Sequence, residues 1–233
     1  MSAVLPPPRT HARLLDREHL VRTEDGVRLH ALLWRAGPGW RMVSSAVLGG
    51  GIAEREWVLN AQVAHGYRRT DPARHLAGLA RAAGAEGPGV GLMTAAEVAD
   101  PGYACDGGAE AVATAGISVR GWAASPQDGT PGAAPPGTIN IVAAVPVPLT
   151  DAALVNAVMT ATEAKTQALL DAGHDCSGTP TDAVCVAARA PYPGTEPHAF
   201  AGPRSEWGAR LARAVHIAVL LALGADREAA ARS

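Results

Sequence analysis

The chain has 233 residues, 48% of them hydrophobic and 18% charged, with a formal net charge of −2. Such a chain can bury a sizeable core. Its balanced charge, with no basic stripe, argues against a nucleic-acid partner, which needs clustered Lys and Arg to displace counterions. Cys105, Cys176 and Cys185 are odd in number and form no CxxC, so neither a disulfide framework nor a zinc cluster is indicated. The N-terminus interrupts every apolar run with charges and prolines and does not read as a signal peptide. The longest late apolar run, AVHIAVLLALGA, has about 12 residues, short of the ~20 that span a bilayer. A cytoplasmic protein without membrane insertion is expected.

In chain order, residues 1–15 are Pro-rich and expected to fray. EHLVRTEDGVRLHALLW reads as a β-hairpin turning at Asp25-Gly26. Strands are expected at 42–51, running into three glycines, and at Trp57–Val63. Asp71 followed by Pro72 opens a helix over 71–85. GVGLMTAAEV (89–98) is strand then turn, and 113–124 a strand. SPQDGTPGAAPPG (125–137) is a turn-rich loop. TINIVAAVPVP follows as a strand. A long helix runs from Thr150 to Ala172, opened by Thr150 or Asp151 and closed by Gly173. DAVCVAAR (182–189) is a strand buried on both faces. A last helix starts at Ser205 and ends near Leu223. The pattern is α+β (mixed α/β): one domain over 16–225 with a largely buried sheet and about three main helices, then a tail at 226–233.

The composition favours Arg, Ala, Gly and Pro. Of 20 Lys and Arg residues one is lysine, Lys165; asparagine occurs three times, at 60, 140 and 156, and phenylalanine once, at Phe200. Residues that persist against such a bias are informative. A helical projection of 150–172 sets Leu154, Val155, Val158, Met159, Ala161, Ala168, Leu169 and Leu170 on one arc. Thr162, Lys165 and Thr166 fall inside that arc, with Glu163 at its edge and Asn156, Thr160, Gln167 and Asp171 opposite. An ammonium aimed at a core needs a partner. Either Lys165 snorkels or ends in a structural ion pair, or the polar trio lines a pocket. Arginine would serve a merely surface charge in this chain, and a compact ammonium does different chemistry from a guanidinium. Asp182, at a strand mouth directly after the lysine helix, is a natural partner, though Thr181 and Asp182 also suit a simple turn.

Ser44 and Ser45 precede the Gly49-Gly50-Gly51 run, which can cradle a polar ligand through backbone N–H groups or simply turn. Asn60 and Asn140 lie inside strand-like runs, where asparagine is disfavoured, and are expected to bond a neighbouring loop or a substrate amide. His75 and Asp71, four apart on a helix, can pair. No HExxH or other metal-ligand spacing appears.

Seven segments together carry a resemblance: SSAVLGGG, WVLNAQV, the DPARHL helix, GVGLMTAAEV, GTINIVAAVPVPLTDAALVNAVMTATEAKTQALL, GTPTDAVCVAA and FAGPRSEWGARLARAV. In this order, over roughly residues 40–220, they resemble the adenosylcobinamide amidohydrolases (the CbiZ family). TATEAKT with TDAV is the most specific part. Pro180 departs from the pattern, where Gly or Ala is expected. The resemblance implies hydrolysis of the amide between the corrin ring and its aminopropanol arm, in corrinoid salvage. The partner implied is a corrinoid substrate that brings its own cobalt; no other cofactor is predicted, a metal requirement is left open, and a homo-oligomer is allowed. For that reaction we expect Lys165, Asp182, Thr181 and Glu163 in the chemistry. Ser44, Ser45, Gly49, Gly50, Gly51, Asn60, Thr94, Asn140, Thr162, Thr166, Thr179 and Phe200 would then contact substrate. Asp182 is to act as, or to orient, the general base, with Lys165 stabilising the amide oxygen or fixing Asp182. A covalent variant makes Ser44, Ser45 or Thr181 the nucleophile and Lys165 its base. A corrinoid-binding protein without catalysis, and a Schiff-base enzyme using Lys165, are the readings from other classes.

Overall fold

A computed structural model of the chain describes residues 13–125 and 137–232, with side chains as far as residue 224. The first twelve residues of the Pro-rich start and nearly all of the 125–137 loop lie outside the described residues. β1 (Arg17–Glu24) and β2 (Val27–Arg35) form the expected hairpin. Asp25 and Gly26 both take positive φ, 50° and 79°, as a two-residue type I′ turn requires. β3 (Trp40–Ser44) reverses through the glycine run into a short β4 (Gly51–Glu54), which was not anticipated, and β5 (Trp57–Gln62) follows. α1 (Pro72–Ala82) starts with Pro72 in its first turn. Asp71 sits at its N-cap position without capping it, because its carboxylate is turned to Arg69.

β6 (Gly89–Thr94) matches expectation. The strand expected over 113–124 is instead β8 (Ala109–Gly116), hairpin-paired with β7 (Gly102–Asp106) through Gly107 and Gly108 at φ 52° and 94°. Asp106-Gly107-Gly108 is a turn signal of the same kind as Asp25-Gly26. β9 (Thr138–Val145), α2 (Asp151–Asp171) and β10 (Ala183–Arg189) make a parallel strand–helix–strand unit. Thr150 caps α2 by accepting from Ala153 N at 3.1 Å, and Gly173, φ 82°, ends it. α3 (Glu206–Arg232) has Ser205 Oγ accepting from Gly208 N at 3.2 Å and runs past the expected end near Leu223.

The strands form two sheets rather than one: β1-β2-β5-β6, and β4-β3-β10-β9-β8-β7. Within them β5–β6 and β9–β10 are parallel pairs. Alternation along β9 explains the layering. Ile139, Ile141, Ala143 and Val145 face α2 and α3, whereas Val142 and Ala144 face the smaller sheet with Trp34, Val58 and Leu92. α1 covers the far side of the smaller sheet through Leu76 and Ala80. The result is one domain of four layers, helix, sheet, sheet, helices. Alanines on β8 (109, 111, 113, 115) and α3 (214, 218, 222) let α3 lie close on the larger sheet. At Gly102 an added Cβ would collide with the Ala218 carbonyl. α3 also contains a stretch, Glu206–Gly224, long and apolar enough to cross a membrane, longer than the run read from sequence; half of it is buried in the core. At the other terminus, Leu14 N and Leu15 N donate to the buried Glu110 carboxylate at 2.8 and 3.0 Å, so these two residues of the stretch expected to fray are held in place.

Candidate active site

The buried stripe of α2 consists of small residues, Ala153, Ala157, Ala161, Ala164 and Ala168, with Leu154, Thr160 and Leu169. It differs from the projected arc. Thr160 is buried and donates to Ala201 O at 2.8 Å, whereas Val155, Met159, Leu170, Thr162 and Glu163 are exposed. The helix is pressed against β10 and α3, so the narrowest side chains set its inner face and the bulky ones are left outside. Lys165 belongs to the inner face, 6% exposed, and its ammonium is ion-paired with Asp182 Oδ2.

Asp182 lies on the loop between α2 and β10, and that loop shapes itself around the carboxylate. Oδ1 accepts from Ile139 N at 2.9 Å and from the Thr179 hydroxyl at 2.6 Å; Oδ2 accepts from Thr179 N at 3.2 Å and from Lys165. A carboxylate has about four lone-pair sites, so Asp182 is fully engaged. Lys165 is not: of its three N–H groups, one meets Asp182, and no other hydrogen-bond acceptor is found for it among the described residues. Gly178 passes directly over the pair, and an added Cβ would overlap both the Asp182 carboxylate and the Lys165 ammonium.

Two clefts meet at Asp182. The first, about 480 Å³, contains Lys165 and Asp182 and is walled by Thr162, Thr166, Ser177, Thr179, Arg120 and Trp122. The second, about 460 Å³, opens between the ends of the two sheets and is lined by Ser45, Val47, Val63, Ala64, His65, Tyr67, Leu92, Thr94, Thr138 and Thr181 as well as Asp182. Thr181 therefore faces away from Lys165. Its hydroxyl lies 2.6 Å from Thr138 Oγ1 and donates to Gly137 O at 3.1 Å. Glu163 lines neither cleft, and Phe200, 75% exposed beside α2, lines neither.

Several residues expected to contact substrate also make bonds or close contacts within the fold. Ser44 Oγ donates to Val184 O and accepts from Ala46 N, both at 3.0 Å, and Ser45 Oγ accepts from Val184 N at 3.1 Å. Gly49 lies against the Gly89 backbone and Gly50 against the Ala46 carbonyl, so these glycines serve close packing. Gly51 begins β4. Asn140 Nδ2 donates to Asn60 Oδ1 at 2.8 Å and to Met93 O at 3.1 Å, and Asn60 Nδ2 donates to Thr114 Oγ1 at 2.9 Å. This is a buried polar seam between the sheets. Thr94 Oγ1 accepts from Ala96 N at 3.0 Å and still lines the second cleft. His75 pairs not with Asp71 but with Glu24, Nε2 to Oε1 3.2 Å, and its Nδ1 lies 3.1 Å from the Tyr67 hydroxyl. Arg120, Trp122, Ser177, His65 and Tyr67 carried no motif that singled them out; only the loop next to the lysine helix pointed towards Ser177. Among the described residues no three His, Cys, Asp or Glu side chains gather as metal ligands would.

Residues 12–231 match the family described as adenosylcobinamide amidohydrolase. The match extends beyond the 40–220 stretch that carried the resemblance. An adenosylcobinamide amidohydrolase of Methanosarcina mazei is 34% identical over 177 residues, 73% of this chain and 84% of that protein. Another, of Halobacterium salinarum, is 43% identical over 124 residues, 51% of each chain. With the family matched over nearly its whole length, and a buried, partly uncommitted ammonium opening on a cleft, this chain belongs to the adenosylcobinamide amidohydrolases, hydrolases of a carbon–nitrogen bond.

Proposed function

We propose that the chain hydrolyses the amide linking the corrin ring of adenosylcobinamide to its aminopropanol arm, and that the reaction takes place at Lys165. The products are adenosylcobyric acid and 1-amino-2-propanol, the first of which re-enters cobalamin assembly. The observation that carries this reading is the uncommitted face of Lys165. Its ammonium is held by Asp182 on one side and turns the rest towards a cleft walled by hydroxyls. As a nucleophile adds to the amide carbon, the oxygen gains negative charge, and a fixed ammonium in a water-poor site stabilises it.

Thr179 is the best-placed nucleophile. Its hydroxyl has two acceptors in reach, Asp182 Oδ1 at 2.6 Å and Gly137 O at 2.8 Å, and the shorter, charge-assisted bond to the carboxylate is the stronger; a water could reach Asp182 only by displacing one of its four donors. Thr179 Oγ1 attacks the amide carbon and its proton passes to Asp182. That proton goes to the amine as the C–N bond breaks, leaving an ester on Thr179. Water then cleaves the ester, Asp182 taking the proton of the water and returning it to Thr179 Oγ1 as the ester C–O bond breaks. The hydroxyls of Ser44, Ser45 and Thr181 bond elsewhere and not to either member of the pair, so we assign the covalent role to Thr179.

The test is release of 1-amino-2-propanol from adenosylcobinamide. Lys165→Met is expected to lower kcat by roughly 10²–10³-fold, the usual cost of one lost oxyanion donor. Thr179→Val should abolish turnover and Thr179→Ser should retain it, with a corrinoid ester seen by mass spectrometry after rapid quenching. Wild-type rates in a folded Lys165→Met protein would end the reading as a whole. Wild-type rates in Thr179→Val would replace the threonine with a direct attack by water.

A further inference from the structure

We infer that the substrate straddles the Thr179–Asp182 loop, with the corrin ring in the cleft between the two sheets and the aminopropanol arm in the Lys165 cleft. This rests on the proposed hydrolysis at Lys165. An amide hydrolase must hold a group on each side of the bond it breaks. Here two clefts of similar volume, about 460 and 480 Å³, share Asp182; the first is smaller than a whole corrinoid and takes the edge of the ring that carries the scissile amide. Thr179 and Pro180 line one side of the loop, Thr181 and Ala183 the other.

The linings differ in a way that matches the two halves of the substrate. The inter-sheet cleft is walled by Val47, Val63, Ala64, Leu92, Met93 and Ala95, and Val47 stands 54% exposed. Apolar walls suit the bulky macrocycle, whose faces are largely hydrocarbon. The Lys165 cleft is walled by Arg120, Trp122 and the hydroxyls of Thr162, Thr166 and Ser177, whose protons are turned to backbone carbonyls, so their oxygens are left to accept from a short amine bearing its own hydroxyl. The inter-sheet cleft also offers a rigid polar contact at Tyr67. Tyr67 lines it, and its hydroxyl is held 3.1 Å from His75 Nδ1 while His75 Nε2 is held 3.2 Å from Glu24. A phenol fixed in this way can bond the amide side chains on the ring's edge without first losing rotamer freedom.

Binding of adenosylcobyric acid, the ring half alone, separates the clefts, measured by equilibrium dialysis with detection at its visible absorbance. Ala64→Trp fills the inter-sheet cleft, and Val47→Asp puts a charge on its lip at an exposed position that spares the core. Thr166→Trp fills the Lys165 cleft. The expected result is a tenfold or greater loss of ring binding in Ala64→Trp and Val47→Asp, with Thr166→Trp within about twofold of wild type but raised in KM for the whole substrate. Equal losses in all three, or loss in Thr166→Trp alone, would overturn the assignment. Failure of the chemistry is read separately: an active Lys165→Met defeats the proposed reaction, whereas normal ring binding in both inter-sheet variants defeats only the seating of the ring.

Discussion

At Gly178 the backbone lies so near the Lys165–Asp182 pair that only a residue without a Cβ fits. The same crowding accounts for the lone lysine. A guanidinium is wider than an ammonium and needs a planar fork of acceptors, and the space between Asp182 and Gly178 offers neither. Gly178→Ala is therefore expected to fold and to lose roughly 10²-fold in kcat, as a displacement of about 1 Å in a catalytic group does; steady-state kinetics alongside a thermal melt would separate this from unfolding. Lys165→Arg should fail to restore activity although it keeps the charge. Residue chemistry also predicts the behaviour of the thiols. Burial pushes the Cys185 thiol up to about 12. The unfolded chain ionises there first, near the ordinary ~8.5, so this contribution to stability is present below that pH and fades as pH rises towards 12. Urea midpoints at pH 7 and pH 10 should fall less in Cys185→Ala than in wild type. In the folded protein, of the three cysteines, only the exposed Cys105 should react with a thiol reagent at neutral pH.

Among the elements, α2 matters most because it connects β9 to β10 and thereby carries Lys165 to the strand mouth that holds Asp182. Its start was legible to within one residue: of Thr150 and Asp151 it is Thr150 that caps the helix, and Thr150→Ala should cost about 1 kcal/mol in a urea titration. Its inner face was not legible. A projection weights large apolar side chains, whereas a helix squeezed between a sheet and α3 turns its alanines inward, so Thr160 went in and Met159 stayed out. Lys165 survived that error because it sits one turn from Ala161 and next to Ala164, inside both versions of the stripe. The β7–β8 hairpin shows a different kind of miss. Its Asp106-Gly107-Gly108 turn was in plain view, but its flanks, GYAC and AEAVATAG, are too small and too uniformly buried to show alternation. Those small residues exist for α3. Gly102→Ala should push the Ala218 carbonyl away, loosening α3 and lowering the thermal midpoint more than an exposed Gly→Ala would.

In the whole molecule, the two sheets are joined by apolar contacts and by one polar seam, Asn60, Thr114 and Asn140, lying behind the lining of the inter-sheet cleft. Asn140→Leu would strand Asn60 Oδ1 and the Met93 carbonyl, each worth about 1–3 kcal/mol when buried without a donor, while removing Asn140 Oδ1, itself buried without a partner, so a net loss of about 1–3 kcal/mol is expected in chemical denaturation. Many of the chain's elements and turns follow from local backbone preferences and could be read from residues such as Asp25-Gly26, Pro72 and Gly173 without any fold; β4 and the β7–β8 hairpin could not. The pairing of Lys165 with Asp182 could be read as well, because a buried ammonium needs a carboxylate and the nearest strand mouth supplies one. What only the tertiary structure decided is which hydroxyl stands at the pair. Thr181 and Thr179 are two residues apart on one loop, and backbone direction sends the first into the inter-sheet cleft and the second onto Asp182. The division of the strands into two sheets, and hence the second cleft, belongs to the same class. It depends on long-range packing of faces that are apolar on both sides, where local sequence carries no mark of which neighbour each face will meet.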